Sequence, residues 1–282
     1  MKICFKGLIV LLFSWNLNIV NAQFVHASVF AGISNYQGDL QDKKFTFQQA
    51  HFAGGLGLMY EINDKLYARM GITLGKVSAD DKKNQKNITR NLSFSSPITE
   101  LHLGLEYDIL NLYEKSISPY VFAGIAAYRF NPYTYDSVGN KVYLQPLGTE
   151  GQGFYLGRKK YNLTQFAIPF GGGIKFAFND NVRIKFEVGL RKLMTDYLDD
   201  VSTTFAPQAA LLANNGQRAV DFAFRGDEIK PGLTYPTATS ERGNPSSKDW
   251  YYFSGVTLSI RLVNSDGTSF LGKTRSGCPG NF

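Results

Sequence analysis

The stretch "ITELHLGLEYDI" runs from Ile98 to Ile109. Leu101, Leu103, Leu105 and Tyr107 fall on one side of an extended chain. Glu100, His102, Gly104, Glu106 and Asp108 fall on the other. A period of two is the signature of a β-strand. The fold depends on which of these sides faces inward.

Seven further segments alternate in the same way. The eight predicted strands cover about Val25–Ser34, His51–Ile62, Leu66–Lys76, Ile98–Ile109, Pro119–Phe130, Phe166–Phe178, Val182–Lys192 and Trp250–Val263. In nearly all of them one face is continuously apolar or aromatic. The opposite face carries Arg69, Glu100, Glu106, Lys175, Arg183, Lys185, Glu187 and Arg261, with glycines between them. The strand at Pro119–Phe130 is the least clean, with aromatic side chains on one face and alanines on the other. A β-sandwich turns a polar face to water and packs an apolar core. These eight charges would make a poor sandwich core. In a membrane barrel the arrangement is natural: the apolar face meets lipid and the charges pair in a polar lumen.

The connections point the same way. "NDK" (Asn63–Lys65), "LNLYEKSIS" (Leu110–Ser118) and "NDN" (Asn179–Asn181) are short. The segments Asn35–Ala50, Val77–Pro97, Asn131–Gln165 and Leu193–Asp249 are long, and the two kinds alternate. An even strand number with short turns at one end and long loops at the other predicts an all-β, eight-stranded antiparallel outer-membrane β-barrel. In that class the short turns are periplasmic and the long loops extracellular, so both termini are expected in the periplasm. Phe24, Tyr36, Tyr60, Tyr107, Tyr120, Phe130, Tyr197, Trp250 and Tyr251 lie near strand ends, where interfacial aromatic girdles are expected.

The N-terminus supports export. Lys2 and Lys6 precede a short apolar run, Gly7–Trp15, and Asn21-Ala22 offers a small-residue cleavage site. Residues 1–22 therefore read as a signal peptide, residues 23–263 as the barrel and residues 264–282 as a periplasmic tail. Cleavage after Ala22 removes two lysines, so the net charge falls from +7 to +5. Cys4 precedes the apolar run, which is the wrong order for an acylated lipoprotein cysteine. Cys278, near the end of the tail, has no partner for an internal disulfide. After the leader no apolar run is long enough for a membrane helix.

An eight-stranded barrel is just wide enough for its own side chains to fill. A diffusion channel is therefore not expected, and the inner charges are expected to pair with one another. The inner glycines, including Gly55, Gly71 and Gly171, are expected to make room for the long charged side chains. No phosphate loop, nucleotide fingerprint or metal-spaced His/Cys set appears. His26-Ala27-Ser28 resembles the His-x-Ser pair of a lipid A deacylase class, with serine as nucleophile and histidine as base. Three-residue matches arise by chance, and this pair lies on the face opposite Val25, Ala27 and Val29, away from lipid. The sequence predicts no enzyme, no cofactor and no nucleic-acid partner. "RKK" (Arg158–Lys160) and "DDKKNQKN" (Asp80–Asn87) put basic charge on long loops, where contact with lipopolysaccharide is one reading and simple solvation the other.

The remaining acidic group is "DYLDDVSTTF", Asp196–Phe205, at the long-loop end of the seventh predicted strand. Asp39 leaves the first strand at that same end, and barrel closure brings the two close. A cation site shared by Asp39, Asp199 and Asp200 is conceivable, since hard cations take several oxygens. Carboxylates that accept hydrogen bonds from the loop backbone are the competing reading.

Taken together, "VFAGISNYQGDL" (Val29–Leu40), "YARMGITLGKVSADD" (Tyr67–Asp81), "RNLSF" (Arg90–Phe94) and "DYLDDVSTTF" resemble the PorG-like outer-membrane barrels of Bacteroidetes. The resemblance spans about Gln23–Val263. It implies a non-enzymatic accessory subunit of type IX secretion, associated in gliding species with motility. It also implies a partner, the periplasmic ring built from PorK and PorN, with the short turns and tail as docking surface. The reading kept beside it is a general structural or ligand-binding barrel with adhesin-like loops.

Overall fold

The computed structural model describes residues 24–41, 43, 46–84 and 87–262. The leader read in residues 1–22, the tail 264–282 and Cys278 lie outside the described residues. Ten strands form one antiparallel sheet: β1 (Val25–Gln37), β2 (His51–Glu61), β3 (Leu66–Asp80), β4 (Ser93–Asp108), β5 (Ile117–Phe130), β6 (Tyr133–Tyr135), β7 (Lys141–Tyr143), β8 (Thr164–Ala177), β9 (Val182–Leu193) and β10 (Trp250–Arg261). The order β3-β2-β1-β10-β9-β8-β5-β4 closes through a β3–β4 pairing, so eight strands make a barrel with no free edge. The small β6–β7 hairpin hangs from the loop end of β4, where Tyr133 pairs with Ser95.

The strand quoted above settles which side is inside. Leu103 is 55% exposed, whereas Glu100 and Glu106 are 0% exposed. The same inversion runs around the wall: Val29, Leu56, Ile72, Ile125, Phe166 and Phe186 all face outward. A belt of that extent on a water-soluble monomer would be a large apolar patch. Inside a hydrocarbon layer it is the ground state, and closure leaves no open strand edge there. The molecule is an eight-stranded antiparallel transmembrane β-barrel of the outer-membrane type.

β3 and β4 run furthest beyond their sequence pattern. β3 continues past Lys76 to Asp80, and β4 begins at Ser93 rather than near Ile98. The alternation persists there but its polarity reverses. Inward positions near the middle are polar (Arg69, Thr73), while inward positions at the loop end are apolar (Val77, Ala79, Phe94, Ile98). These residues join Tyr36, Tyr128, Phe130, Tyr161, Tyr251 and Phe253 in a buried cluster that stoppers the barrel at its loop end. Above it, helices α2 (Gln208–Asn215) and α3 (Gln217–Ala223) pack a small second cluster around Leu211 and Val220. The short helix α1 (Asp81–Asn84) follows β3.

The aromatic expectation needs correcting. Tyr60 and Tyr107 do face outward, but Tyr36, Tyr120, Phe130 and Tyr251 are at most 1% exposed and point into the lumen. Strand parity, not distance from the strand end, decides the direction: Tyr36 has the parity of His26 and Ser34, not of Val29 and Ala31. On the least clean strand, β5, the inward face is the aromatic one: Tyr120, Phe122, Tyr128 and Phe130 are buried, while Val121 and Ile125 are exposed. The inner glycines also have a different neighbour from the one expected. A Cβ on Gly171 would lie 2.1 Å from the Val188 carbonyl oxygen, so it is chiefly the next strand's backbone that requires a glycine there.

Candidate functional site: the filled lumen and the loop-end cap

The lumen is filled in layers. At the turn end, Glu61 of β2 accepts hydrogen bonds from His26 Nε2 (3.1 Å) and from the Tyr113 hydroxyl (2.6 Å). Arg183 and Arg261 stand 3.8 and 3.7 Å from the same carboxylate, and Arg183 donates to the Tyr67 hydroxyl at 2.9 Å. Next comes the densest layer. Glu106 is met by Lys175 (2.7 Å), Lys185 (2.9 Å) and Arg69 (3.2 Å). Arg69 also forks onto Glu187 at 2.8 and 3.2 Å, and Lys175 reaches Asp108 at 2.7 Å. Tyr120 closes this layer by donating to Glu187 at 3.0 Å. Above it, Arg191 forks onto Glu100 at 3.0 and 3.1 Å, and Tyr251 donates to the same carboxylate at 2.6 Å.

Desolvating charges costs several kcal/mol per ion, and only close partners with further hydrogen bonds return it. Each of the eight sequence-predicted lumen residues (Arg69, Glu100, Glu106, Lys175, Arg183, Lys185, Glu187, Arg261) has such partners. The grouping also takes in Asp108, Arg191, Glu61 and His26, which stood on the same face of the pattern, and Tyr113, which lies in a turn with no periodic signal. A void of about 30 Å³ between Arg69, His102, Lys185, Glu187 and Phe253 has room for little more than a water. It is not a conduit.

His26 and Ser28 do both face the lumen, but His26 Nε2 is engaged by Glu61 rather than by Ser28. His51 meets the Ser78 hydroxyl at 2.7 Å, and His102 lies 3.4 Å from Glu100.

At the loop end the acidic group is woven into the cap. Asp199 accepts from the Tyr36 hydroxyl at 2.6 Å and from the Val201 amide at 2.9 Å. Asp200 accepts from Thr149 (2.5 Å) and Tyr161 (2.7 Å), with Arg242 at 3.7 Å. Asp39 instead takes the Asn244 amide, at 3.0 and 3.1 Å from its two oxygens. The three therefore face different donors. Among the described residues no group of three or more His, Cys, Asp or Glu side chains is arranged to hold a metal ion. Glu150, absent from the sequence reading, is the hub of the cap: fully buried, it takes the Ser202 amide (2.9 Å), the Thr203 hydroxyl (2.6 Å) and Arg242 (3.1 Å). Arg158 of the "RKK" stretch donates to the carbonyls of Glu150 and Thr204, both at 2.7 Å, so it pins the cap.

Burial raises the acids of this cap. Asp196 is pushed up to about 7, by desolvation first and then by repulsion from Asp39. Asp200 is pushed up to about 6 by burial, against the pull of Arg242. Asp199 and Asp249 rise well above the usual carboxylate range, again through burial and then through neighbouring aspartates. The geometry agrees. The Tyr36 hydroxyl lies 2.6 Å from Asp199 and 3.0 Å from Asp249. It has one hydrogen, so two full hydrogen bonds form there when one acid is protonated and donates to the tyrosine oxygen.

Residues 4–212 match the family described as Domain of unknown function (DUF6089). The chain belongs to the DUF6089 family. The matched span takes in seven of the eight barrel strands and ends within α2, before β10. This DUF6089 chain is a barrel with a salt-bridged interior and a folded cap. A search of curated proteins gave no match. Among solved structures the chain is similar to Neisserial surface protein A (11% identity, TM-score 0.40, covering 85% of this chain and 97% of that one). It is also similar to a major outer membrane protein of Thermus thermophilus (13%, 0.39, 86% and 100%) and to Ail of Yersinia pestis (10%, 0.38, 84% and 97%). The architecture assigned to this DUF6089 chain rests on its own strand register and outward apolar belt.

Proposed function

We propose that this protein is a non-conducting, non-enzymatic anchor in the outer membrane, working through its two ends rather than through its interior. The observation that carries this reading is the lumen, occupied from the Glu61 layer to the aromatic stopper by paired side chains. A barrel that neither conducts nor binds in its interior has its turns, loops and outer wall left to act with. The family resemblance of "NYQGDL" and "DYLDDVSTTF" gives the sharper form: a subunit of type IX secretion that tethers a periplasmic PorK/PorN-type ring. In this orientation the turns and both chain termini are periplasmic, the cap faces outward, and lipopolysaccharide surrounds the upper wall.

The turns suit docking because they are stiff. Asn63 caps the Lys65 and Leu66 amides, Asn111 caps Tyr113, and Asn179 caps Asn181 and Val182, all at 2.9–3.0 Å. A preformed surface loses little conformational entropy on association. Asp64, Glu114, Lys115 and Asp180 are exposed there, Lys65 is half-buried, and together they would set the polar contacts.

Affinity purification of the tagged protein from native membranes tests the proposal. Ring components are expected to co-purify, and exchanging the charges of the three turns is expected to release them. If the gene can be deleted with no effect on ring assembly or cargo secretion, the anchoring role is wrong. The non-enzymatic part is tested separately, by an unchanged lipid A profile in a Ser28→Ala strain.

A further inference from the structure

The largest cavity described in the cap is independent of the turns and of any ring. It has a volume of about 470 Å³ and opens at the loop end, between the exit of β1, the 87–90 turn, Phe205, Phe224 and the segment 241–247. Small-ligand pockets run from about 300 to 1,000 Å³. We propose that this cavity is a binding site for a neutral saccharide.

Its chemistry is mixed in a particular way. Phe205 and Phe224 supply aromatic surface, and the two rings are locked with Tyr235 in an edge-to-face trio at 5.7–6.2 Å between centroids. Asp39 and Glu241 supply carboxylate acceptors, and Asn87 and Asn244 supply amides that both donate and accept. A sugar presents hydroxyls that donate and accept together with C–H faces that pack on rings, so it uses every part of this lining. An ammonium ion would use the carboxylates, the amide oxygens and a ring face, leaving the amide donors and most of the volume idle. An anion is disfavoured, because the one guanidinium in the lining is already engaged: Arg90 forks onto Asp81 at 2.7 and 2.8 Å and donates to the carbonyls of Asp39 and Arg242.

The site is also built to stay open. Arg90 ties together the three loop segments that form its wall. Gly243 packs tightly in that wall: a Cβ there would come within 2.4 Å of Asp39 Oδ2 and 2.8 Å of the Ser202 amide nitrogen, so the close approach that fixes Asp39 at the cavity requires a glycine.

The test is calorimetric titration of the full barrel, purified in amine-oxide micelles to avoid sugar-headed detergent. The probes are four neutral disaccharides, built from glucose, galactose, mannose and N-acetylglucosamine, with lysine methyl ester and glucuronate as charged controls. Saturable binding of at least one disaccharide is expected. It should weaken at least about tenfold in both Glu241→Ala and Asn87→Ala, two changes at the cavity mouth that remove hydrogen-bonding groups. Both variants should keep wild-type gel mobility before and after heating, which shows that the barrel is folded. The proposal is overturned if no disaccharide saturates, if lysine methyl ester or glucuronate binds in its place, or if sugar binding is untouched by both substitutions. A failure of ring co-purification would leave this result unaffected.

Discussion

The ammonium of Lys175 lies 2.7 Å from the carboxylate of Asp108, and both side chains are 0% exposed. The same ammonium is 2.7 Å from Glu106 and sits 4.2 Å from the centre of the Tyr67 ring. One cation thus satisfies two carboxylates on β4 at once. Removing it leaves two buried anions short of a partner, a loss of about 3–5 kcal/mol by the measured cost of breaking a buried pair. Lys175→Met is therefore expected to unfold at markedly lower urea, read from the heat-modifiable mobility of the barrel on gels. Adding Asp108→Leu should recover part of the loss, because the orphaned charge is removed with its site. If the single variant unfolds with the wild type, the lumen is wetter than its burial indicates.

The cap should loosen as pH rises. Asp196 and Asp200 have folded values of about 7 and about 6, above the ordinary unfolded value of about 3.9. An acid raised on folding binds its proton more tightly in the folded state. Its stabilising contribution is complete below about pH 3.9 and is lost as pH climbs through the folded value. Asp199 and Asp249 shift in the same direction. Hydrogen exchange in residues 195–205, corrected for intrinsic rates, should accelerate between pH 5 and pH 8. Asp196→Asn, which cannot ionise, should flatten that slope. A flat wild-type profile, or one of the opposite sign, contradicts the assigned cause.

Arg90 is the tie between cap and barrel. Its guanidinium joins Asp81, the first residue of α1 just past β3, to the backbone of Asp39 and Arg242. Lysine has no fork and cannot reproduce the set. Arg90→Lys is expected to expose the 202–248 segment to limited proteolysis while the barrel keeps its heat-modifiable mobility. Wild-type resistance to protease in that variant would show that the aromatic stopper alone holds the cap.

The barrel wall was legible in the sequence because period two is a local signal and each strand repeats it. The lumen charges were legible for the same reason: Glu100 and Glu106 share a parity, and so do Lys185 and Glu187. Following that parity strictly would also have added Asp108 and Arg191, and would have turned Tyr36 and Tyr251 inward. The cap was not legible, since its bonds join residues far apart in the chain: Glu150 to Arg242, Asp200 to Thr149, Asn91 to the Arg225 carbonyl. Nothing periodic marks them. The "DYLDDVSTTF" aspartates were found by composition, but what surrounds them is set by Tyr36, Thr149 and Tyr161, which arrive from three other segments.

Conductance in a planar lipid bilayer tests most directly whether the interior is filled. The account predicts that the purified full-length barrel, shown to be folded by heat-modifiable mobility, inserts without discrete current steps at moderate voltage, because paired charges and the aromatic stopper occupy the lumen from end to end. Reproducible single-channel steps from the wild-type protein would contradict it.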